Sequence, residues 1–209
     1  MPPYFSVEVG YSYKSLNKNF IDRICSLIFS KFPFKYGYWN SESNSLLEII
    51  DWNQLLLEKK FILGYDEHVS NNYKQLLLTS ELYTHMRMFW GYRNDKISLS
   101  IIIPEYEILV DEGEWQFRKG QIKPIIDLCQ DLWEQSPVEI IQSCLEMDGS
   151  PISIGKVQNG ELPSINPIAI INKDLSKTIK NLNNFKLNTE LKEIKNNGIM
   201  IIANELIHL

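Results

Sequence analysis

The chain opens on a change of hydrophobic period, and that change narrows the folds open to it. Phe5, Val7, Val9 and Tyr11 alternate with Ser6, Glu8, Gly10 and Ser12, the period of a strand with one buried face. The spacing then lengthens. Leu16, Phe20, Ile24, Leu27 and Ile28 recur as on one side of a helix, with Asn19, Asp22, Arg23 and Ser26 on the other, until Pro33 forbids continuation. Ser15 or Asn17 is placed to cap that helix. A strand followed by an amphipathic helix therefore starts the fold.

The same periods recur along the chain. Phe34 to Trp39 reads as a second strand, and Asn40-Ser41-Glu42-Ser43-Asn44 as a turn leading to a short helix capped by Ser43 or Ser45. Residues 51–80 suit strand and helix equally. Residues 81–90 and 97–103 read as a hairpin joined through Gly91-Tyr92-Arg93-Asn94-Asp95, with Pro104 at its end and 106–110 continuing the sheet. Ile122, Ile125, Ile126, Cys129, Leu132 and Trp133 form the tightest apolar arc in the chain, on a helix spanning 121–135 and stopped by Ser136-Pro137. A strand over 138–147 follows. The remainder reads as a hairpin around Gln158-Asn159-Gly160, a strand over 168–171, a short helix carrying Leu175, Ile179 and Leu182, and a closing hairpin turning at Asn197-Gly198. These readings give an α+β fold with a mostly antiparallel sheet and amphipathic helices on one face. Residues 1–149 form the core domain, and 150–209 a strand, helix and hairpin extension packed on the same domain.

The formal charge of the 209 residues is -5, and its distribution is uneven. Residues 105–148 hold eleven acidic and three basic groups, whereas the flanking segments are slightly positive. A stretch of that sign repels nucleic acid and attracts a basic partner. No apolar run reaches the length of a membrane span, Met1-Pro2-Pro3-Tyr4 lacks the layout of a secretory signal, and Cys25, Cys129 and Cys144 sit singly among apolar residues. The expectation is a cytoplasmic chain with no disulfide and no membrane contact.

The chain carries no glycine-rich phosphate loop, and His68, His85 and His208 stand apart from one another and from the cysteines. No nucleophile elbow is present, and Cys25 and Cys129 fall on apolar helix faces where a thiolate is disfavoured. These readings leave no catalytic residue, no metal ligand set and no cofactor to name. Two carboxylate groupings keep an enzyme in view. Asp51, Glu58 and Lys60 have the order of a metal-dependent nuclease set, and Asp127, Asp131 and Glu134 lie at i, i+4 and i+7 on one helix. Both patterns also describe a solvated helix face. A phage or assembly subunit is a third class, for which an apolar self-interface is the expected sign. Trp115, within Glu112-Gly113-Glu114-Trp115-Gln116, reads as either an interface anchor rimmed by acids or a cross-strand packing residue.

Several segments in order carry a resemblance. The opening strand and helix are followed by Gly37-Tyr38-Trp39-Asn40-Ser41-Glu42-Ser43 leading to Leu46-Leu47, then Trp90-Gly91-Tyr92, the strand Ile97-Ser98-Leu99-Ser100-Ile101, and Leu132-Trp133 close to Pro137. Over residues 4–142 this resembles the bacterial polymorphic-toxin immunity proteins, most nearly the immunity protein 52 family. The resemblance implies a cytoplasmic antidote that binds a cognate toxin, often a nuclease effector delivered by contact-dependent or type VI secretion. Its basic surface would then meet Glu105, Glu107, Asp111, Glu112, Glu114 and Trp115, and a homodimer of the free protein stays open.

Overall fold

The computed structural model describes residues 3–37, 45–61, 75–93, 96–111, 114–179 and 187–209. In chain order these form β1 (Tyr4–Ser12), α1 (Phe20–Phe29), β2 (Phe34–Gly37), α2 (Leu46–Phe61), β3 (Leu76–Leu78), β4 (Met86–Arg93), β5 (Lys96–Pro104), α3 (Glu105–Ile108), β6 (Leu109–Asp111), β7 (Glu114–Phe117), α4 (Lys119–Gln135), β8 (Val138–Leu145), α5 (Ile154–Gln158), β9 (Ile168–Asn172), α6 (Lys173–Ser176), β10 (Thr189–Ile194) and β11 (Gly198–Ala203). Nine strands join in one sheet of order β10-β11-β9-β8-β1-β5-β4-β3-β2, and β6 pairs with β7 apart from it. All the strand pairs of the large sheet are antiparallel. The fold is α+β, as the periodicities predict. No described helix is long and apolar enough to cross a membrane.

The alternation of the opening segment sets the sheet's two faces. Phe5, Val7, Val9 and Tyr11 are buried, and Ser6, Glu8, Gly10 and Ser12 are half-buried on the other side. The buried row packs with Ile97, Leu99, Ile101 and Ile103 of β5 and with Met86, Met88 and Trp90 of β4 under α1, α2 and α4. Tyr11, Phe20 and Trp90 pack there edge-on or tilted, with ring centroids 5.3 to 6.2 Å apart. The apolar arc of α4 is buried as expected. A second, smaller core lies on the opposite face, where Val157, Ile165 and Ile179 cover Ile140, Ala169, Ile171, Ile199 and Ile201. The helices thus sit mainly on one face, with α5 and α6 adding a partial layer to the other.

Residues 150–209 are part of the sheet rather than an appendage, since β9 and β11 lie between β8 and the edge strand β10. A buried polar clip holds the intervening loop. Gln142 Oε1 accepts from the amides of Ile152 and Ser164 (3.1 and 2.9 Å), and Ser143 Oγ accepts from Asn166 and Ile168 (3.2 and 2.9 Å). Each group is satisfied, which burial requires.

Several local readings shift. The helix at 46 runs to Phe61, begun by a capping box in which Ser45 Oγ accepts from the Glu48 amide at 3.3 Å and the Glu48 carboxylate accepts from the Ser45 amide at 2.6 Å. Strand β4 continues through Gly91 to Arg93, so the connection to β5 is shorter than five residues. Residues 105–108 are helical instead of extending the sheet. Gln158-Asn159-Gly160 ends α5 and makes no hairpin: the Gly160 amide donates back to the Val157 carbonyl, and Gly160 has a φ of +94°. Helix α6 ends at Ser176, and Leu182, like residues 38–44, lies outside the described residues.

The last hairpin turns at Lys195-Asn196-Asn197, with the positive φ on Asn196 and Asn197 (55° and 56°), one residue earlier than Asn-Gly predicts. Gly198 serves another need. A Cβ there would press into the Trp133 indole and come within 2.7 Å of Ile194 Cγ1, while Trp133 Nε1 donates to the Lys195 carbonyl at 3.2 Å. We predict that Gly198→Ala costs about 1–3 kcal/mol through overpacking, measured by urea unfolding. An unchanged midpoint would show that this contact gives way freely.

Candidate functional site

The ends of the three central strands are tied together by two carboxylates. Glu105, just past the end of β5, is buried and accepts from the Glu146 amide at 2.8 Å, while its own amide donates to the Pro3 carbonyl at 3.0 Å. Glu146, just past β8, accepts from the Tyr4 amide at 2.9 Å. Strand ends leave backbone groups unmatched, and these acids supply acceptors where the ladder stops. Glu107 completes the anchoring by accepting from the amide of Thr84 at 3.0 Å and from its hydroxyl.

What this knot leaves on the outside is apolar. Tyr106, Val110 and Met147 are 48, 56 and 85% exposed, and Asp111 is exposed beside them in sequence. Singly exposed apolar residues are ordinary on a protein surface; these three fall on segments joined at one end of the sheet that also carry carboxylates, a composition that a contact surface uses. Tyr106 and Val110 project from α3 and β6, and the Glu105–Glu146 bond brings Met147 to the same end.

The residues singled out in sequence divide accordingly. Glu105 is an internal structural group, because its carboxylate is buried and bonded, so it is withdrawn as a docking residue. Glu107 is half-buried and bonded to Thr84; Asp111 is at the surface. Glu112 and the side chains of Glu114 and Trp115 lie outside the described residues. Sequence reasoning missed Tyr106, Val110 and Met147. The available signal was their position within the acidic stretch, but each was read as a strand residue.

The wider acidic stretch does not form one surface. Asp127 pairs with Lys123 at 3.1 Å, Asp131 with Lys31 at 2.9 Å, Glu134 with Lys195 at 2.8 Å and Glu139 with Lys96 at 2.8 Å. Asp148 accepts from Asn166 Nδ2 at 2.8 Å. Each acid has met a local donor, and surface pairs of this kind contribute little stability. The 127/131/134 face is therefore a row of separate ion pairs. Asp51 and Glu58 lie about two turns apart on α2; Asp51 is exposed, and Glu58 accepts from Gln54 Nε2 at 2.9 Å. Gln54 also accepts from the Ile21 amide at 3.1 Å, which ties that group to the α1–α2 contact. The structure does not bring Asp51 and Glu58 together, and the side chain of Lys60 lies outside the described residues.

Burial pushes the Cys129 thiol up to about 12 and the Cys144 thiol up to about 11, and Cys25 moves the same way. All three are free and protonated at neutral pH. An open groove of about 540 Å³ lies beside Lys31, Pro33, Ser80, Leu82 and Asp127, but Lys31 and Asp127 are already paired. Among the described residues, no three His, Cys, Asp or Glu side chains converge.

No protein-family model matches the chain, and no curated protein or solved structure matches it.

The division between structural and exposed acids is testable. Glu105→Ala removes the acceptor of the Glu146 amide and should cost about 1 kcal/mol or more, whereas Asp111→Ala should stay within about 0.5 kcal/mol. Thermal unfolding of both variants checks this. Equal melting would mean that Glu105 holds nothing together.

Proposed function

We propose that the protein is a cytoplasmic immunity protein that binds and neutralises a cognate bacterial toxin, with a basic nuclease surface as the matching chemistry. The observation that carries the reading is the exposure of Tyr106, Val110 and Met147 on segments that the Glu105–Glu146 bond joins at one end of the sheet, with Glu107 and Asp111 in the same stretch of chain. Large apolar side chains supply most of the affinity of an interface, and the charges around them steer a basic partner and speed its encounter. The segment resemblance described above supports the same class. A protein that occupies a nuclease's phosphate-binding surface needs no chemistry of its own.

Most described acids of 105–148 are engaged in internal bonds and ion pairs, so no broad acidic field carries the reading; Asp111, exposed at the surface, with Glu112 and Glu114, is assigned as the stretch a basic partner meets. Reading the chain as a hydrolase would need a converging carboxylate set, and the groupings at Asp51/Glu58 and at Asp127/Asp131 do not supply one.

The test is co-expression with the toxin encoded by the adjacent gene. Survival and a complex that persists through gel filtration are expected; cell death despite expression, or no complex, would overturn the reading. Within that complex, Tyr106→Ala with Met147→Ala should weaken binding by about tenfold or more. Reversing Asp111, Glu112 and Glu114 to Lys should slow association and reduce its dependence on salt.

A further inference from the structure

Strand β10 ends one side of the large sheet, and among the described residues no strand pairs with its outer edge. Glu190, Leu191, Lys192 and Glu193 are all exposed, Leu191 to 49%. An edge of this kind offers a row of backbone N–H and C=O groups to another strand. Which residues offer them follows from the ladder on the inner side. The Asn204 amide donates to the Asn188 carbonyl at 2.9 Å, one step beyond the pair Thr189↔Ala203. Bonded and non-bonded pairs alternate in an antiparallel ladder. Glu190, Lys192 and Ile194 therefore bond inward to β11, and Thr189, Leu191 and Glu193 turn their backbone groups out of the sheet.

The side chains along this edge complement themselves. Glu190 and Lys192 stand opposite Ile202 and Met200 on the main-core face of the sheet, and Leu191 stands opposite Ile201 on the other face. Neither charge has an ion pair among the described residues, whereas Glu193 is met by Lys173 at 2.6 Å. An antiparallel second copy, related by a two-fold axis at Leu191, would set Glu190 opposite its Lys192, Lys192 opposite its Glu190, and Leu191 against Leu191. Outward-facing residues then meet outward-facing residues, so Leu191 with Leu191 and Thr189 with Glu193 can exchange backbone hydrogen bonds. The opposite charges fall in non-bonded pairs, where side chains approach most closely. Moving the axis to Glu190 or to Lys192 keeps the backbone bonding but opposes like charges directly, which is unfavourable. An axis between two residues would set outward groups against inward ones and forfeit the bonds. Charged edges usually discourage pairing; here the order Glu-Leu-Lys leaves one register open, to a strand of the same order.

We propose that the protein self-associates through β10, as a two-fold dimer whose sheets join edge to edge in the register set by Glu190, Leu191 and Lys192. The dimer is weak and concentration-dependent, because one edge strand of 6 residues covers less than the roughly 1,200 Å² at the lower end of stable interfaces. A dissociation constant on the order of 0.1–1 mM is expected. This surface is independent of the toxin-binding reading and does not involve Tyr106, Val110 or Met147.

Sedimentation equilibrium of the full-length protein, up to about 1 mM, tests the dimer. A reversible monomer–dimer equilibrium is expected; a monomer throughout would overturn the proposal. Glu190→Lys and Lys192→Glu each turn both attractive pairs into repulsive ones and should weaken association about tenfold or more. Mixed together, the two variants present opposite charges to each other at both positions, so the mixture should associate about as strongly as the unaltered protein. Association unchanged in either variant alone would overturn the register and the surface together. A second measurement needs no substitution. Amide hydrogen exchange at Leu191 and Glu193, whose N–H groups point outward, should slow as the unaltered protein is concentrated, while Lys192, bonded to β11, changes less. Exchange at Leu191 and Glu193 that is independent of concentration would overturn the proposal.

Discussion

Strand β1 is hydrogen-bonded along both edges, to β5 from Tyr4↔Pro104 to Ser12↔Lys96 and to β8 from Phe5↔Leu145 to Tyr11↔Val138. The two halves of the chain meet through it. Its inner face supplies Phe5, Val7, Val9 and Tyr11 to the main core, and its outer face carries Ser6, Glu8, Gly10 and Ser12. With a side-chain period of two, a slip of one residue would exchange these sets and place Glu8 under the helices. The register is therefore fixed by burial, and with it the knot that Glu105 and Glu146 tie at the strand's start.

Charge in this protein is allocated locally. The negative middle of the sequence suggests one broad acidic field, yet α4 meets Lys123, Lys31 and Lys195 with three of its acids, and β8 meets Lys96 with Glu139. Asp111 is exposed in the same segment as Tyr106 and Val110, and a binding function at that end would depend on shape and on a few groups more than on net charge.

Much of the framework was legible in sequence because period and burial are coupled. The opening alternation, the α1 pattern, whose helix closes at Phe29 ahead of Pro33, and the apolar arc of α4 match the structure. Local signals failed where tertiary contacts decide. Helix α2 has no single apolar stripe to reveal its length, since Trp52 and Leu55 are exposed while Asn53 is buried. Gly198 looks like a turn glycine and is instead required by the Trp133 indole of α4, three strands earlier in the chain. Residues 105–108 alternate as a strand would, but Pro104 and the bonded Glu105 turn them into one helical turn. For the site, the region around 105–111 was identified, but the roles were exchanged: the first acid is internal and the apolar residues face out.

Hydrogen–deuterium exchange of the protein, alone and bound to the adjacent-gene toxin, tests most directly whether the end of the sheet around Tyr106 and Met147 meets a protein partner. Protection is expected at residues 104–111 and 146–148, with the outer face of α4 unchanged. Protection confined to α4, or none at that end within a stable complex, would contradict it.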